Sequence, residues 1–389
     1  MSVITKEIQE FINRQLHSTA ADLMLQASKY PEWDMKLIAQ QLIGKQIAKK
    51  KLPSWFNNHL TLYPIRLSLE QCSSENTANY KSNLVGNGKG IDLTGGFGVD
   101  TFAFSKKAKH VIYCEMNAPL AKLAKENFNA FKVSNIEVFM GDGLAYLNKQ
   151  KKLDWIFIDP ARRKQGERVY RLKDCEPNVI DLKKILFQKA NTILIKTAPL
   201  LDIQQTLKDL DFVKEVHVLS VNNDCKEVLY LLENGYTENA KIIAANLKTS
   251  SHTVFNFTYF DEQNSAVDYS LPLAYLYEPN SSIMKAGAFK SIAVKFQLLK
   301  LHNNSHLYTS NHLVKDFPGR TFKIKAVISA DRKILEKHSF GTGNLACRNF
   351  PQKIAALKRK LKLKDGGMNY IFATTLVDEK PKLILCEKL

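Results

Sequence analysis

Residues Gly90-Ile91-Asp92-Leu93-Thr94-Gly95-Gly96-Phe97-Gly98-Val99-Asp100 decide how this chain is read. A short apolar strand, Gly90 to Leu93, carries one acid and runs into three glycines within four residues. An apolar helix, Val99 to Ala103, follows. Glycines there let the backbone bend tightly and leave no Cβ between it and a ligand. A strand end that opens a helix is where doubly wound sheets bind nucleosides. A dinucleotide fingerprint would read Gly-x-Gly-x-x-Gly at this point. Here Gly95-Gly96-x-Gly98 is followed by Asp100 and Thr101, and no later glycine opens the helix. Asp92 precedes the glycines, where an acid meets an amine rather than a phosphate. That suits S-adenosylmethionine, whose methionyl end carries an ammonium and whose sulfonium is cationic. Taken alone, the loop also fits a plain structural turn.

The following elements extend the pattern. A strand from His110 to Cys114 ends in Glu115, and a helix is expected from Ala118 to Phe131. The next strand, Ile136 to Met140, ends in Gly141-Asp142-Gly143. A fourth, Leu153 to Ile158, ends in Asp159-Pro160-Ala161-Arg162-Arg163. Parallel strands end on one side of a sheet, so these acids share an edge. Each acid alone reads as a loop residue or helix cap; their order at successive strand ends is hard to explain by capping. A fifth strand, Asn191 to Lys196, precedes a hairpin from Val216–Ser220 to Glu227–Leu232.

These residues resemble the class I S-adenosylmethionine-dependent methyltransferases, over about residues 88 to 235. The resemblance implies an α/β, Rossmann-like sheet with an antiparallel last strand. It implies that Asp92, Gly95, Gly96 and Gly98 cradle the methionyl group, Glu115 takes the ribose, and Asp142 reads the adenine amine. Thr94, Asp100, Gly143 and Asp159 complete the expected donor-binding set. No metal is expected.

Composition agrees with an enzyme of several modules. A chain of 389 residues exceeds one usual core. The apolar runs are too short for a membrane helix, and the amino terminus has no apolar signal core. Six cysteines lie scattered without a C-x-x-C pair, which argues against zinc, iron–sulfur or disulfide frameworks and fits reducing cytoplasm. The net charge is +18, which points to a polyanionic partner. From Gly319 to Leu389 there are 16 Lys and Arg against 6 Asp and Glu, so +10 of that charge lies in the last 71 residues. Pro351 to Lys364 reads as a basic helix with proline in its first turn and Ile354, Leu357 and Leu361 on one face. Lys358, Arg359, Lys360 and Lys362 are the expected RNA contacts, with a solvated charged face as the alternative.

Four regions are expected: helices over 1–80, the methyltransferase domain over 81–235, a linker and ferredoxin-like segment over 236–318, and a basic α+β module over 319–389. The helices read Thr5–Leu16, Ala20–Ser28 and Met35–Lys50, and the polar tract Asn76–Gly90 reads as an entry segment. A strand is expected from His252 to Phe260. Tyr277-Glu278-Pro279-Asn280, Lys285-Ala286-Gly287-Ala288-Phe289-Lys290, Phe317-Pro318-Gly319-Arg320, Arg348-Asn349-Phe350-Pro351 and Lys362-Leu363-Lys364-Asp365-Gly366-Gly367 are similar to a narrower family. Its members are bacterial class I methyltransferases ending in a ferredoxin-like segment and a THUMP-like domain. THUMP domains proper bind RNA, so the resemblance implies an RNA partner.

Exocyclic-nitrogen methyltransferases carry Asp/Asn-Pro-Pro-aromatic after the fourth strand. Here Asp159 and Pro160 stand, but Ala161 and Arg162 replace proline and aromatic. Arginine can stack on a base or grip phosphate, so Asp159, Pro160, Arg162 and Arg163 are the expected catalytic group. Arg162 and Arg163 also fit structural pairing with Glu167, Asp174 or Glu176. Tyr170, Arg171 and Lys196 are the next candidates for substrate contact. Cys175, flanked by Asp174 and Glu176, is a poor nucleophile because the acids raise its pKa. Three readings result: an RNA base-nitrogen methyltransferase, a methyltransferase of proteins or small molecules, and a nucleic-acid-binding protein with a silent methyltransferase fold.

Overall fold

The structure, a computed structural model, describes residues 4–161, 163–164, 167–168, 171–248 and 252–389, those at 163, 164, 167 and 168 by backbone alone. The chain divides into two compact units, Met1–Lys214 with Glu227–Thr237, and Glu215–Lys226 with Glu238–Leu389.

The first unit opens with α1 (Lys6–Arg14), α2 (Ala20–Met24), α3 (Met35–Lys51), α4 (Pro53–Asn57), α5 (Arg66–Gln71) and α6 (Glu75–Ser82). Strands and helices then alternate: β1 (Lys89–Asp92), α7 (Val99–Ser105), β2 (His110–Glu115), α8 (Ala118–Ala130), β3 (Ile136–Met140), α9 (Gly143–Lys149) and β4 (Leu153–Ile158). A short ribbon, β5 (Arg163–Lys164) and β6 (Glu167–Arg168), precedes α10 (Val179–Lys189), β7 (Ala190–Thr197) and α11 (Ile203–Asp209). Next come β8 (Val213–Val221) and β9 (Asp224–Glu233). Their connecting residues, Asn222 and Asn223, have φ of 51° and 66°. Two-residue hairpin turns need that left-handed pair, and asparagine tolerates it.

The sheet of this unit runs β9-β7-β4-β1-β2-β3. Five strands are parallel, and β9 lies antiparallel on β7 with Tyr230 opposite Ile195. Parallel strands carry helices on both faces, so their residues are buried on both sides and read as unbroken apolar runs. Ile91, Ile112, Ile156 and Ile193 are accordingly fully buried. The carboxyl ends of β1, β2, β3, β4 and β7 therefore share one edge.

Helices α1, α2 and the start of α3 share a cluster of their own that includes Ile8, Phe11, Leu23, Met35 and Leu42, whereas α4, α5 and α6 pack onto the sheet region. Trp55, Tyr63, Leu69 and Ala78 pack into one core with Phe97, Phe102, Tyr113 and Phe128 of the sheet region. Within the tract expected as an entry segment lies α6, capped by the Ser74 side chain on Thr77 N. Its buried residues are Thr77, Ala78, Lys81 and Ser82, so apolar periodicity gives no sign of it.

In the second unit β8 pairs in parallel with β10 (Lys241–Leu247), and β10 pairs antiparallel with β11 (His252–Thr258). The expected strand to Phe260 stops at Thr258, because Thr258 and Asp261 form a capping box that starts α12 (Tyr259–Asn264). There follow β12 (Tyr275–Pro279), α13 (Ser281–Ala286), α14 (Ser291–Phe296), β13 (Leu299–Lys300), β14 (Tyr308–Ser310) and β15 (Gly319–Ile328). The last elements are α15 (Arg332–Lys337), β16 (Asn344–Arg348), α16 (Ile354–Leu361), β17 (Asn369–Thr375) and β18 (Pro381–Lys388). They form a seven-stranded sheet, β13-β14-β12-β15-β18-β17-β16, in which β16 is an edge. Leu276, Leu301 and Leu307 share its core with Phe322, Phe372 and Ile384.

Strands β16 and β17 are parallel, which makes α16 the crossover between them. Leu357 and Leu361 are buried beneath it, but Ile354, expected on the same face, is 43% exposed. Pro351 lies outside the helix, which begins at Ile354 after an extended Lys353. The residues before Ile354 make the turn out of β16.

Candidate active site

The glycine loop leaves β1 through Leu93, whose N–H donates to Phe157 O at 3.0 Å. Asp92 is buried, accepting from Thr94 N at 3.0 Å and Thr101 Oγ1 at 2.6 Å. Its carboxylate thus braces the loop from within, and the structure places it there rather than on an open surface. Burial pushes its pKa up to about 7, against the opposing hydrogen bonds from Thr101 and Thr94. Below about pH 4 the group is protonated folded or unfolded. Between pH 4 and 7 only the unfolded chain ionises freely, so stability falls as pH rises and the loss is complete above about 7. A shift from 3.8 to about 7 corresponds to about 4 kcal/mol. Asp92→Asn should therefore show a flatter profile of unfolding free energy from pH 4 to 8. Parallel profiles for the two proteins would refute this account.

Two glycines are sterically required. A Cβ on Gly95 would lie 2.2 Å from the Tyr113 ring, whose hydroxyl donates to Gly96 O at 2.5 Å. Gly98 caps α7 with φ +88°, and its Cβ would lie 2.7 Å from Phe128. Beside Gly96, whose φ is +55°, a Cβ would meet only Thr94 O at 3.8 Å among the described residues, which leave this side of the loop open to a ligand.

Glu115 accepts from Gly96 N at 2.9 Å and Asn117 N at 2.7 Å, tying the end of β2 to the glycine loop. Asp142 is exposed and caps α9 through Leu144 N at 2.9 Å. Gly143, buried, begins that helix. After β4, Asp159 N donates to Thr94 Oγ1 at 2.7 Å, linking the expected reaction segment directly to the loop. The Asp159 carboxylate, 34% exposed, accepts from Lys196 Nζ at the end of β7. Pro160 beside it is buried. Burial works against the Lys196 charge, but Asp159, Glu227 and Asp100 hold the ammonium protonated above the usual lysine range.

Behind Lys196 lies a buried network absent from the sequence expectations. Lys81 has no exposed side-chain surface; its Nζ donates to Ser73 Oγ at 2.9 Å and Glu227 Oε1 at 2.5 Å, and lies 3.2 Å from Asp100 Oδ1. Ser73 in turn donates to Asp100 Oδ2 at 2.7 Å. Asp100, expected among the donor-binding residues, thus engages Lys81 and Ser73. Nearby, burial pushes the Cys72 thiol up to about 11, the charges of Lys51, Asp100, Lys196 and Lys81 acting more weakly.

The structure brings Asp92, Thr94, Gly95, Gly96, Gly98, Glu115, Asp142, Gly143, Asp159 and Lys196 to one sheet edge. Arg162, Tyr170 and the side chain of Arg163 lie outside the described residues. Arg171 is exposed, and Cys175 is buried with its thiol toward Arg171 O at 3.6 Å. In the second unit Lys358 pairs with Asp365, while Arg359, Lys360 and Lys362 are exposed. Among the described residues no group of three His, Cys, Asp or Glu could hold a metal, and no helix is long and apolar enough to cross a membrane.

The open glycine loop, the Glu115 carboxylate bound to it and the exposed Asp142 fit an S-adenosylmethionine molecule laid along the edge. Comparisons agree. Residues 74–216 match a family described as conserved hypothetical protein 95, residues 275–318 a ferredoxin-like domain and residues 319–388 a THUMP-like domain. The crystal structure of a proposed methyltransferase from Porphyromonas gingivalis W83 is similar throughout. It shares 34% identity, covering 98% of this chain and 97% of that one, with a TM-score of 0.88. Two uncharacterised S-adenosylmethionine-dependent methyltransferases of Mycobacterium tuberculosis, from strains CDC 1551 / Oshkosh and ATCC 25618 / H37Rv, are each 19% identical over 305 residues. Those alignments cover 76% of this chain and 80% of theirs.

Proposed function

Because this chain belongs to the S-adenosylmethionine-dependent methyltransferases that end in ferredoxin-like and THUMP-like domains, we propose that it methylates a base nitrogen of RNA. The observation that carries the RNA reading is the THUMP-like match over 319–388, in the region that holds +10 of the net charge. The scattered placement of the six cysteines, with no C-x-x-C pair, supports a reducing, cytoplasmic setting.

Bound S-adenosylmethionine supplies a methyl group activated by the positive sulfur. Gly95 to Gly98 would receive its methionyl portion, Glu115 its ribose hydroxyls and Asp142 its adenine amine. The Thr94–Asp159 hydrogen bond ties the donor loop to the acceptor segment. Lys196 positions the Asp159 side chain, which accepts a hydrogen bond from the acceptor N–H and turns the nitrogen lone pair toward the methyl. Orientation of this kind supplies much of the acceleration in a direct displacement. The same carboxylate stands ready for the proton that nitrogen sheds after transfer.

The test is incubation of the purified protein and labelled S-adenosylmethionine with total RNA from a strain lacking its gene. Label in one RNA nucleoside supports the proposal; label confined to protein or small molecules overturns it. Changing Lys358, Arg359, Lys360 and Lys362 together to serine should also flatten the slope of log RNA affinity against log salt. Each lost phosphate contact contributes about 0.7 for single strands. An unchanged slope would show that the face is merely solvated.

A further inference from the structure

In the second unit a cleft of about 780 Å³ opens beside the edge strand β16, bordered by Arg320, Arg348, Phe350, Lys353 and Tyr370 among others. Its size suits a small organic ligand. Among the described residues, none that lines it is acidic. We propose that this cleft binds one unpaired nucleotide of an RNA, its phosphate at Arg348 and Lys353 and its base against Tyr370. This rests on the RNA reading above and adds where, and in which strandedness, RNA is held.

The cations are set in place before any ligand arrives. Glu278, only 6% exposed on its side chain, stands opposite Arg320 across the β12–β15 pair. It accepts from Arg320 Nε at 2.8 Å and from Arg320 Nη2, and from Arg348 Nη2 at 2.7 Å. Arg348 Nη1 is further held by Cys347 O at 2.9 Å. One carboxylate thus fixes two guanidinium forks, and with Lys353 the group keeps a net charge of +2. A guanidinium fork has five N–H donors, so both arginines retain donors for phosphate oxygens. Lys353 is exposed and caps α16 without a side-chain hydrogen bond, so the first amides of the helix add to the same positive field.

The aromatic side is also present. Arg320 lies 5.8 Å from the Tyr370 ring centroid and 5.6 Å from that of Phe322. Half-buried Tyr370 and Phe350 border the cleft. Cations beside aromatic faces are how single strands are held, since every base has a face to stack. A paired base has both faces covered and cannot enter. An acidic peptide would use the cations but gain little from the rings.

The full-length protein should be titrated with a labelled 12-nucleotide single-stranded RNA and with a blunt duplex of the same sequence. Lys353→Glu, on an exposed side chain that leaves folding intact, should weaken single-strand binding and lower its salt slope by about 0.7 or more. Duplex binding should be little changed. Tyr370→Leu should weaken single-strand binding by about tenfold, within the range for a lost stack, and Tyr370→Phe should restore it. Equal losses for single strand and duplex, or none for either variant, would overturn the cleft site while leaving RNA methylation intact. Wild-type protein that binds neither RNA would overturn both readings. Displacement of the RNA by poly-glutamate but not by unlabelled oligonucleotide would assign the cleft to an acidic protein partner.

Discussion

Asp159→Ala is expected to lower the rate of methyl transfer by about two to three orders of magnitude, the scale of one preorganised hydrogen-bond partner lost from a transition state. Binding of S-adenosylmethionine should change only a few-fold, because Glu115, Asp142 and the glycine loop stay in place. The backbone amide of residue 159 still reaches Thr94 Oγ1 in the variant, so the link between loop and acceptor segment survives. Asp159→Asn separates charge from shape, since its carbonyl oxygen can still accept from Lys196. If orientation dominates, the asparagine variant keeps part of the rate; if charge dominates, it matches alanine. Single-turnover assays with saturating donor measure the step directly. A wild-type rate for Asp159→Ala would remove the segment after β4 from the chemistry.

Lys81→Met should cost about 3–5 kcal/mol of stability, the usual penalty for removing one member of a buried ionic group. Asp100 and Glu227 would then lose the Lys81 ammonium that bridges them, at side-chain exposures of 12% and 4%. A domain's whole stability is only about 5–15 kcal/mol, so the variant should unfold at markedly lower denaturant. Glu227→Gln in the same chain should recover part of the loss, because one uncompensated charge is removed. A loss below about 1 kcal/mol for Lys81→Met, which is ordinary for a surface pair, would refute the buried-network account.

The sheet was legible in the sequence where burial was two-sided. Strand β4 spans the expected Leu153–Ile158, an apolar run broken only by Asp154 and buried at its other positions. The glycine loop was legible because only glycine fits beneath Tyr113 at Gly95 and adopts the φ of Gly98 without strain. What escaped is what has no apolar period. Helix α6 turns Thr77, Lys81 and Ser82 inward, and these look like surface residues in a linear sequence. Its Lys81 pairs with Glu227, 146 residues away, a pairing no local pattern encodes. The direction of the Asp92 carboxylate escaped for a related reason: Thr101, on the next helix, is its partner. Helix α12 was signalled by Thr258 and Asp261, but the aromatic run before them reads more strongly as strand.

The match to the ferredoxin-like domain ends at 318 and that to the THUMP-like domain begins at 319, a junction inside one hydrogen-bonded sheet. Leu276 faces Phe322 across the β12–β15 pair, and Glu278 faces Arg320. Two labels therefore describe a single cooperative folding unit. Amide protons of β12 and β15 would exchange with solvent at a common rate, through one opening event rather than two. A gene cut at codon 319 would yield two fragments with bare sheet edges, each prone to strand-to-strand aggregation. Recombination or domain grafting among relatives would have to carry residues 275–389 as one cassette.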